Sequence, residues 1–164
     1  MPMSRTGTSQ VVSPKKEQSR STVAFLPRVL VVDDEVVIAD TITKILSLNG
    51  YAANAAYDGD SALECALLKP PHLLLTDVVL PGINGIELAQ TVKRVYPECK
   101  VILFSGQAST VDLMATALRA GHRFTLLSKP LPPEELLVQV ARHLNPSSEV
   151  AATAQLSRGQ LPVE

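Results

Sequence analysis

Five polar residues whose types can do chemistry together stand at the ends of short apolar runs. Asp33 and Asp34 follow the run RVLVV, and Asp77 follows HLLLT. Ser105 comes directly after KVILF, and Lys129 comes shortly after FTLL. Carboxylates that lie within several Å of one another repel by roughly a kcal/mol or more per pair at an effective dielectric constant of about 20. Three of them together therefore need a cation nearby or must take up protons.

The residue types favour phosphoryl chemistry with a divalent cation. Oxygen ligands suit a hard ion, and a few carboxylates with several waters suit Mg²⁺, so Asp33, Asp34 and Asp77 are candidate metal ligands. Lys129 adds a second positive charge that can stabilise phosphoryl oxygens, and Ser105 can donate a hydrogen bond to one of them. The nucleophile would then be a carboxylate, and the product an aspartyl phosphate.

The apolar pattern predicts elements that bring these residues together. Strand candidates at 28–32, 51–55, 72–76, 100–104 and 124–127 alternate with amphipathic segments at 35–48, 60–69, 85–96, 111–120 and 133–144. Five such units predict an α/β fold, a doubly wound five-stranded parallel sheet with right-handed crossovers and helices on both faces. In such sheets functional groups gather at the carboxyl ends of the strands. The five polar residues are therefore expected at one edge of the sheet.

Composition limits the remaining possibilities. The chain has 164 residues, 46% of them hydrophobic, and a net charge of −1. This balance gives no field for nucleic acid or an anionic membrane, and neither is expected as a partner. No apolar stretch approaches the roughly 20 residues of a membrane span, and no signal core precedes a cleavage site, so a cytoplasmic location is predicted. Cys65 and Cys99 are expected to be reduced thiols.

The two ends of the chain lack a core pattern. Residues 1–26 are rich in Ser, Thr, Pro and basic residues, and we expect a disordered N-terminal arm there. Residues 146–164 are expected to form a flexible tail, which leaves 27–145 as the folded domain. About 20 tail residues are too few for an output module, so the chain is expected to act as a stand-alone domain through another protein.

Four motifs in order resemble a known family. The segments VLVVDDE, LLLTDVVLPGINGIEL, VILFSG and LLSKP are similar to those of the receiver domain of bacterial two-component response regulators. The family pattern D-x-x-[ML]-P-x-x-x-G-x-x-L is met by Asp77, Leu80, Pro81, Gly85 and Leu88. The resemblance covers the whole predicted domain and implies the flavodoxin-like sheet order 2-1-3-4-5.

The resemblance also implies a role for each acidic residue. Asp77 matches the phosphoacceptor, and Asp34 matches the direct Mg²⁺ ligand. Asp33 would act on the metal mostly through water, and the backbone carbonyl of Val79 would complete the protein's share of the metal shell.

Further roles are implied at the fourth and fifth strands. Ser105 matches the switch hydroxyl that moves toward the phosphoryl group, and Gly106 beside it would leave the site open to a bulky donor. Lys129 matches the charge that pairs with the phosphoryl group, and its bond to Pro130 is expected to be cis.

The implied function is that of a signalling phosphoacceptor rather than an enzyme. A histidine kinase or a histidine phosphotransfer protein would supply the phosphoryl group, and the domain would assist its own phosphorylation and dephosphorylation. Phosphorylation would shift the surface formed by residues 111–144, where an unknown downstream protein would bind. The change would be a population shift between two states.

The chain departs from the family pattern at one position, and this leaves an alternative function open. The family usually has Tyr or Phe three residues before the strand-5 lysine, whereas this chain has Leu126. Phe124 lies two residues earlier, on the same side of the strand by period-2 alternation. The alternative is a pseudo-receiver, which keeps the fold as a protein-interaction module without phosphorylation.

Simpler structural interpretations exist for single residues. Asp33 or Asp34 can cap the helix that follows, since Asp is a favoured N-cap residue. Ser105 before Gly106 can be a turn residue. One cap, however, explains one aspartate and leaves Asp77 without a reason.

Overall fold

A computed structural model describes residues 25–106 and 110–145. In these residues five strands alternate with five helices. They are β1 (Arg28–Val32), α1 (Val36–Leu48), β2 (Ala52–Ala56), α2 (Gly59–Leu68), β3 (Leu73–Asp77), α3 (Gly85–Val95), β4 (Lys100–Ser105), α4 (Thr110–Arg119), β5 (Thr125–Ser128) and α5 (Pro133–Leu144). The sheet order is β2-β1-β3-β4-β5 and every neighbouring pair is parallel. The predicted (βα)5 architecture is confirmed.

The apolar strands follow from helices on both faces of the sheet. In β1, Leu30 and Val32 pack in the cluster under α2, α3 and α4, whereas Val29 and Val31 pack in the cluster that includes α1 and α5. Successive side chains of a strand point to opposite faces, so a sheet covered on both sides needs apolar residues at almost every position. The three leucines before Thr76 in β3 are buried for the same reason.

Three predicted strands are placed one residue too early. The segments predicted at 51–55, 72–76 and 124–127 are observed as β2, β3 and β5, each shifted by one residue. A strand ends where backbone pairing ends, whereas the sequence pattern reports burial. Asp77 pairs with Phe104 of β4 and is therefore the last residue of β3. The acceptor candidate thus stands on the sheet itself.

The two predicted tails fall almost entirely outside the described residues. Of the predicted N-terminal arm, the structure describes Phe25 and Leu26, and the ring of Phe25 meets the ring of His72 edge-on with centroids 5.1 Å apart. None of the helices in the described ranges has the length and apolar composition that a bilayer span requires. The cytoplasmic location stays a prediction.

His72 gives the fold a pH dependence at the start of β1. Its Nδ1 accepts a hydrogen bond from the backbone N–H of Arg28 at 2.9 Å. Burial, and then the charge of Arg28, lower the pKa of His72. The folded state therefore takes up this proton less readily than the unfolded state. The stabilisation is present above the ordinary histidine pKa of about 6.5 and is lost as the pH falls through the lower folded value.

We expect His72→Asn to reduce this pH dependence. The asparagine oxygen can still accept from Arg28 and does not titrate in this range. Between pH 7 and pH 5 the wild type should lose about 1 kcal/mol more unfolding free energy than the variant, the net value of one hydrogen bond. Urea unfolding of both proteins at the two pH values measures the difference. Parallel losses in the two proteins would show that His72 does not contribute.

Candidate functional site

The predicted residues meet at the carboxyl edge of the sheet. Asp77 ends β3 and Ser105 ends β4, where it pairs with Ser128 of β5. Asp33 follows β1, and Lys129 follows β5. Because β1, β3, β4 and β5 are neighbours in the sheet, their ends place these side chains side by side. The structure thus brings together the residues that the strand-end rule selected.

Lys129 is shared by two buried carboxylates. Its Nζ donates to Oδ2 of Asp33 at 2.8 Å and to Oδ2 of Asp77 at 2.9 Å. Asp33 is 0% exposed and Asp77 is 7% exposed. Burial lowers the pKa of Lys129, but its hydrogen bonds and attraction to Asp33 and Asp77 outweigh this effect, so the net shift is upward. The ammonium is therefore charged at neutral pH, as two buried carboxylates require.

Further contacts fix the position of Lys129. Its Nζ lies 4.9 Å from the centroid of the Phe104 ring, within the range of a cation–π interaction. Its backbone N–H donates to the carbonyl of Ser105 at 3.0 Å. The Lys129–Pro130 bond is cis, as the resemblance implied. Phe104 was not predicted as part of the site, because nothing in the segment KVILF indicates that its ring lies beneath the Lys129 ammonium.

Asp33 and Asp34 differ in environment. Asp33 is buried, and its Oδ1 accepts from the backbone N–H of Glu35 at 2.9 Å, whereas Asp34 is exposed. The N-cap of α1 is Glu35, which makes no side-chain capping bond. Neither aspartate is therefore the N-cap of α1, and the simple capping interpretation is wrong.

The acidic residues have the donor set of a site for a hard cation. Carboxylate oxygens of Asp33, Asp34 and Asp77 all lie within 4.8 Å of one another. Two of the three carboxylates already share Lys129, and the exposed Asp34 faces solvent, from which a hydrated ion can approach. An all-oxygen group of this kind fits Mg²⁺ with several retained waters.

The loop after β3 starts at the acceptor candidate. The backbone N–H of Val79 donates to Oδ1 of Asp77 at 3.2 Å, and Val79 is 39% exposed. The N–H of Gly85 donates to the carbonyl of Val78 at 2.9 Å and closes the loop. A Cβ at Gly85 would lie 1.8 Å from the carbonyl oxygen of Asp77. Only glycine fits where α3 begins, which gives the motif glycine a physical reason.

The predicted switch residues lie at the end of β4, within β5 and just before β5. Ser105 is 8% exposed at the end of β4. Leu126 in β5 is 40% exposed, whereas Phe124 packs against the cluster on the α4 side, with its ring stacked on His122 at 5.6 Å between centroids. Phe124 precedes β5 rather than lying within it. The switch roles of Ser105, Leu126 and Phe124 stay predictions.

Comparisons with known proteins identify the family. The response regulator receiver domain matches residues 29–141, which run from β1 into α5. The chain belongs to this family. The receiver is 34% identical over 118 residues to the nitrogen assimilation regulatory protein NtrX of Azorhizobium caulinodans, which covers 71% of this chain and 26% of that protein. It therefore spans about a quarter of that relative's length.

Solved receiver domains share the fold. A CheY-like receiver domain protein of Methanospirillum hungatei superposes with a TM-score of 0.68 at 30% identity, covering 76% of this chain and 98% of the other. The chemotaxis response regulator CheY4 of Vibrio cholerae gives a TM-score of 0.65 at 27% identity, covering 73% and 100%. A BeF3-activated receiver domain of DrrB gives 0.63 at 28% identity, covering 73% and 98%.

Membership of this family accounts for the acidic residues at the carboxyl edge of the sheet. Receiver domains belong to two-component systems, are phosphorylated by histidine kinases and generally bind Mg²⁺ in an acidic site. In this receiver the acidic cluster of Asp33, Asp34 and Asp77 has the composition of such a site.

Proposed function

We propose that this receiver accepts a phosphoryl group on Asp77, with Mg²⁺ held by Asp33, Asp34, Asp77 and the backbone carbonyl of Val79. The observation that carries the proposal is the shared ammonium of Lys129, 2.8 Å from Asp33 and 2.9 Å from Asp77. This ion pair places a carboxylate nucleophile against an ammonium at the edge of the sheet, beside the exposed Asp34.

The protein orients both oxygens of the nucleophile. The Val79 N–H holds Oδ1 of Asp77, and Lys129 holds Oδ2. A carboxylate oxygen attacks phosphorus while the phosphorus–nitrogen bond of a phosphohistidine breaks, and the leaving imidazole keeps the electron pair. Lys129 then transfers its hydrogen bond to a phosphoryl oxygen, and Ser105 donates a second one. When bound, Mg²⁺ supplies neutralisation of charge on the phosphoryl oxygens.

An apolar groove beside the site supports a protein as the phosphoryl donor. The groove has a volume of about 510 Å³ and lies between α1 and the segment that joins β5 to α5. Its lining includes Val37 and Ile38 on one side, Leu131 and Pro133 on the other, and Lys129 at the site itself. Val37 is 78% exposed, so a protein that enters the groove can contact it. We propose that a histidine kinase or a histidine phosphotransfer protein docks here.

The proposed domain is a signalling phosphoacceptor rather than an enzyme. Asp77 is covalently changed in each cycle, and the receiver assists its own phosphorylation and dephosphorylation. The phosphorylated state would draw Ser105 toward the phosphoryl group and shift the surface of α4, β5 and α5 for a downstream protein.

The proposal is tested by intact-mass spectrometry after incubation with acetyl phosphate, with and without Mg²⁺. We expect one phosphoryl addition that requires Mg²⁺. If folded protein gains no phosphoryl group from acetyl phosphate or from phosphorylated histidine kinases, the proposal is wrong. The second candidate is then favoured, a pseudo-receiver that binds a partner without phosphorylation. The half-exposed Leu126, at the position where the family usually has an aromatic residue, is the observation in its favour.

Asp34→Ala is expected to weaken Mg²⁺ binding without weakening the fold. Loss of a direct ligand should lower the Mg²⁺ affinity by at least tenfold, since even changes outside the ligand shell cost about that much. Asp34 is exposed, so the metal-free unfolding free energy should change by less than about 0.5 kcal/mol. Calorimetric titration with Mg²⁺ and urea unfolding measure the two quantities.

Glu64→Ala is the matched control for Asp34→Ala. It removes an exposed carboxylate of α2 that is not part of the acidic cluster. Equal Mg²⁺ affinity in the Asp34 and Glu64 variants would exclude Asp34 as a ligand.

A further inference from the structure

The N-terminus of α2 packs against the loop that leaves Asp77. This loop, residues 78–84, joins β3 to α3 and is called the β3–α3 loop below. The backbone N–H of Gly59 donates to the carbonyl of Pro81 at 3.5 Å, a long hydrogen bond. The start of α2 is itself fixed by Asp58, which accepts from the backbone N–H and the hydroxyl of Ser61, both at 2.7 Å. A capped helix end therefore lies against the loop.

The contact between α2 and the loop leaves no space for a side chain at Gly59. A Cβ there would lie 2.2 Å from the carbonyl oxygen of Ile83 and 2.4 Å from its Cγ1. Real Cβ atoms do not approach other atoms so closely, and the nearer of these two atoms belongs to the backbone, which cannot rotate away. A methyl group at Gly59 must therefore displace the β3–α3 loop or α2.

The other side of the β3–α3 loop is held by the sheet and α3. The backbone N–H of Val78 donates to the carbonyl of Phe104 at 3.2 Å. Asn84 caps α3, where its side chain accepts from the backbone N–H groups of Ile86 and Glu87. The Glu87 side chain in turn accepts from the backbone N–H of Asn84. Both ends of the loop are thus fixed, and its middle rests on α2. A displacement at Ile83 must therefore be taken up between these fixed ends, within residues 79–82, which include Val79.

We propose that Gly59 is a positioning residue for the metal site. Gly59 is not one of the proposed metal ligands. It acts through its contacts with Ile83 and Pro81 on the loop that carries Val79. The close approach of α2 at Gly59 sets where the Val79 backbone lies relative to Asp77, and so sets the Mg²⁺ affinity. This inference rests on the proposed function, because it concerns the same metal site.

Gly59→Ala tests the proposal, with Ala66→Gly as the control. Ala66 is a fully buried residue of the same helix, and glycine there destabilises α2 by about 1 kcal/mol without adding an atom near the loop. We expect Gly59→Ala to lower the Mg²⁺ affinity by about tenfold and Ala66→Gly to leave it within about twofold of the wild type. Titration with Mg²⁺ alone, followed by calorimetry, measures the affinities.

A second readout does not depend on the metal. In metal-free protein, the backbone amide NMR signals of residues 78–80 and 82–84 should move in Gly59→Ala and stay in place in Ala66→Gly; Pro81 has no amide proton. If Gly59→Ala does not fold, Ile83→Ala takes its place. It removes the side-chain part of the contact and should lower the Mg²⁺ affinity by about threefold.

The outcomes separate this inference from the proposed function. Equal loss of Mg²⁺ affinity in Gly59→Ala and Ala66→Gly overturns the inference, because it would follow from helix stability alone. Wild-type affinity in Gly59→Ala and Ile83→Ala also overturns it, while the proposed function stands. A wild-type protein that binds no Mg²⁺ overturns the proposed function and the inference together.

Discussion

Asp77→Asn is expected to abolish phosphorylation of the receiver while leaving it folded. The amide is not a nucleophile, so acetyl phosphate with Mg²⁺ should add no phosphoryl group. The amide oxygen can still accept from the backbone N–H of Val79, and Lys129 keeps Asp33 as its charged partner. The change also removes one of three carboxylates that lie within 4.8 Å of one another. The unfolding free energy should therefore stay within about 1 kcal/mol of the wild type.

Asp40→Asn is the matched control for this substitution. Asp40 accepts a hydrogen bond from the hydroxyl of Tyr57 at 2.7 Å, which an amide oxygen also accepts, and it lies outside the acidic cluster. We expect the control to gain one phosphoryl group, as the wild type does, when intact masses are compared. A phosphoryl group retained on Asp77→Asn would show that another residue is the acceptor.

The order of the fold was predictable because burial and periodicity agree along the chain. Residues 29–32 of β1 are all apolar, as a strand covered on both faces requires, and amphipathic segments separate the strands along the chain. The strand ends were less predictable. Hydrogen bonding to β4 extends β3 through Asp77, and a hydrophobic pattern does not report which backbone groups pair.

The residues of the site were predictable from the sequence, but the groups that they contact were not. The strand-end rule selects Asp33, Asp77 and Lys129 from sequence alone, since each follows or ends an apolar run. The Lys129 ammonium bonds to Asp33, 96 residues away in the chain, and to Asp77, 52 residues away. The sequence does not show that one ammonium contacts both carboxylates. The contact of Gly59 with Ile83 likewise joins the start of α2 to the β3–α3 loop, which is distant in sequence. Asp58 caps α2 and Gly59 begins it, yet the sequence does not say what this helix end touches.

The stability of the acidic site depends on Lys129, because its ammonium compensates the charge of both Asp33 and Asp77. Asp33 has no exposed surface, and its carboxylate accepts hydrogen bonds from the Lys129 ammonium and from the Glu35 N–H. Removal of one partner of a buried ion pair leaves an uncompensated charge, which costs more than the pair itself contributes. Metal and lysine are then alternative sources of positive charge for the same carboxylates.

Lys129→Met should accordingly lose about 3 kcal/mol of unfolding free energy at pH 8 in the absence of Mg²⁺. Methionine fills a similar volume but brings no charge, so the carboxylates must instead take up a proton. Folding then favours proton binding, and the variant should recover stability relative to the wild type as the pH is lowered toward 5. Added Mg²⁺ should stabilise the variant more than the wild type, and phosphorylation by acetyl phosphate should slow by about 100-fold.

Urea unfolding at pH 8 and pH 5, with and without Mg²⁺, measures these effects, and Lys44→Met is the control. Lys44 is an exposed lysine of α1, so its replacement should change the unfolding free energy by less than about 0.5 kcal/mol at either pH. If the Lys129 and Lys44 variants were equally stable at pH 8, the buried carboxylates would not need the ammonium. The ion pair would then be a feature of the phosphorylation chemistry alone, and the slower phosphorylation of Lys129→Met would remain as its test.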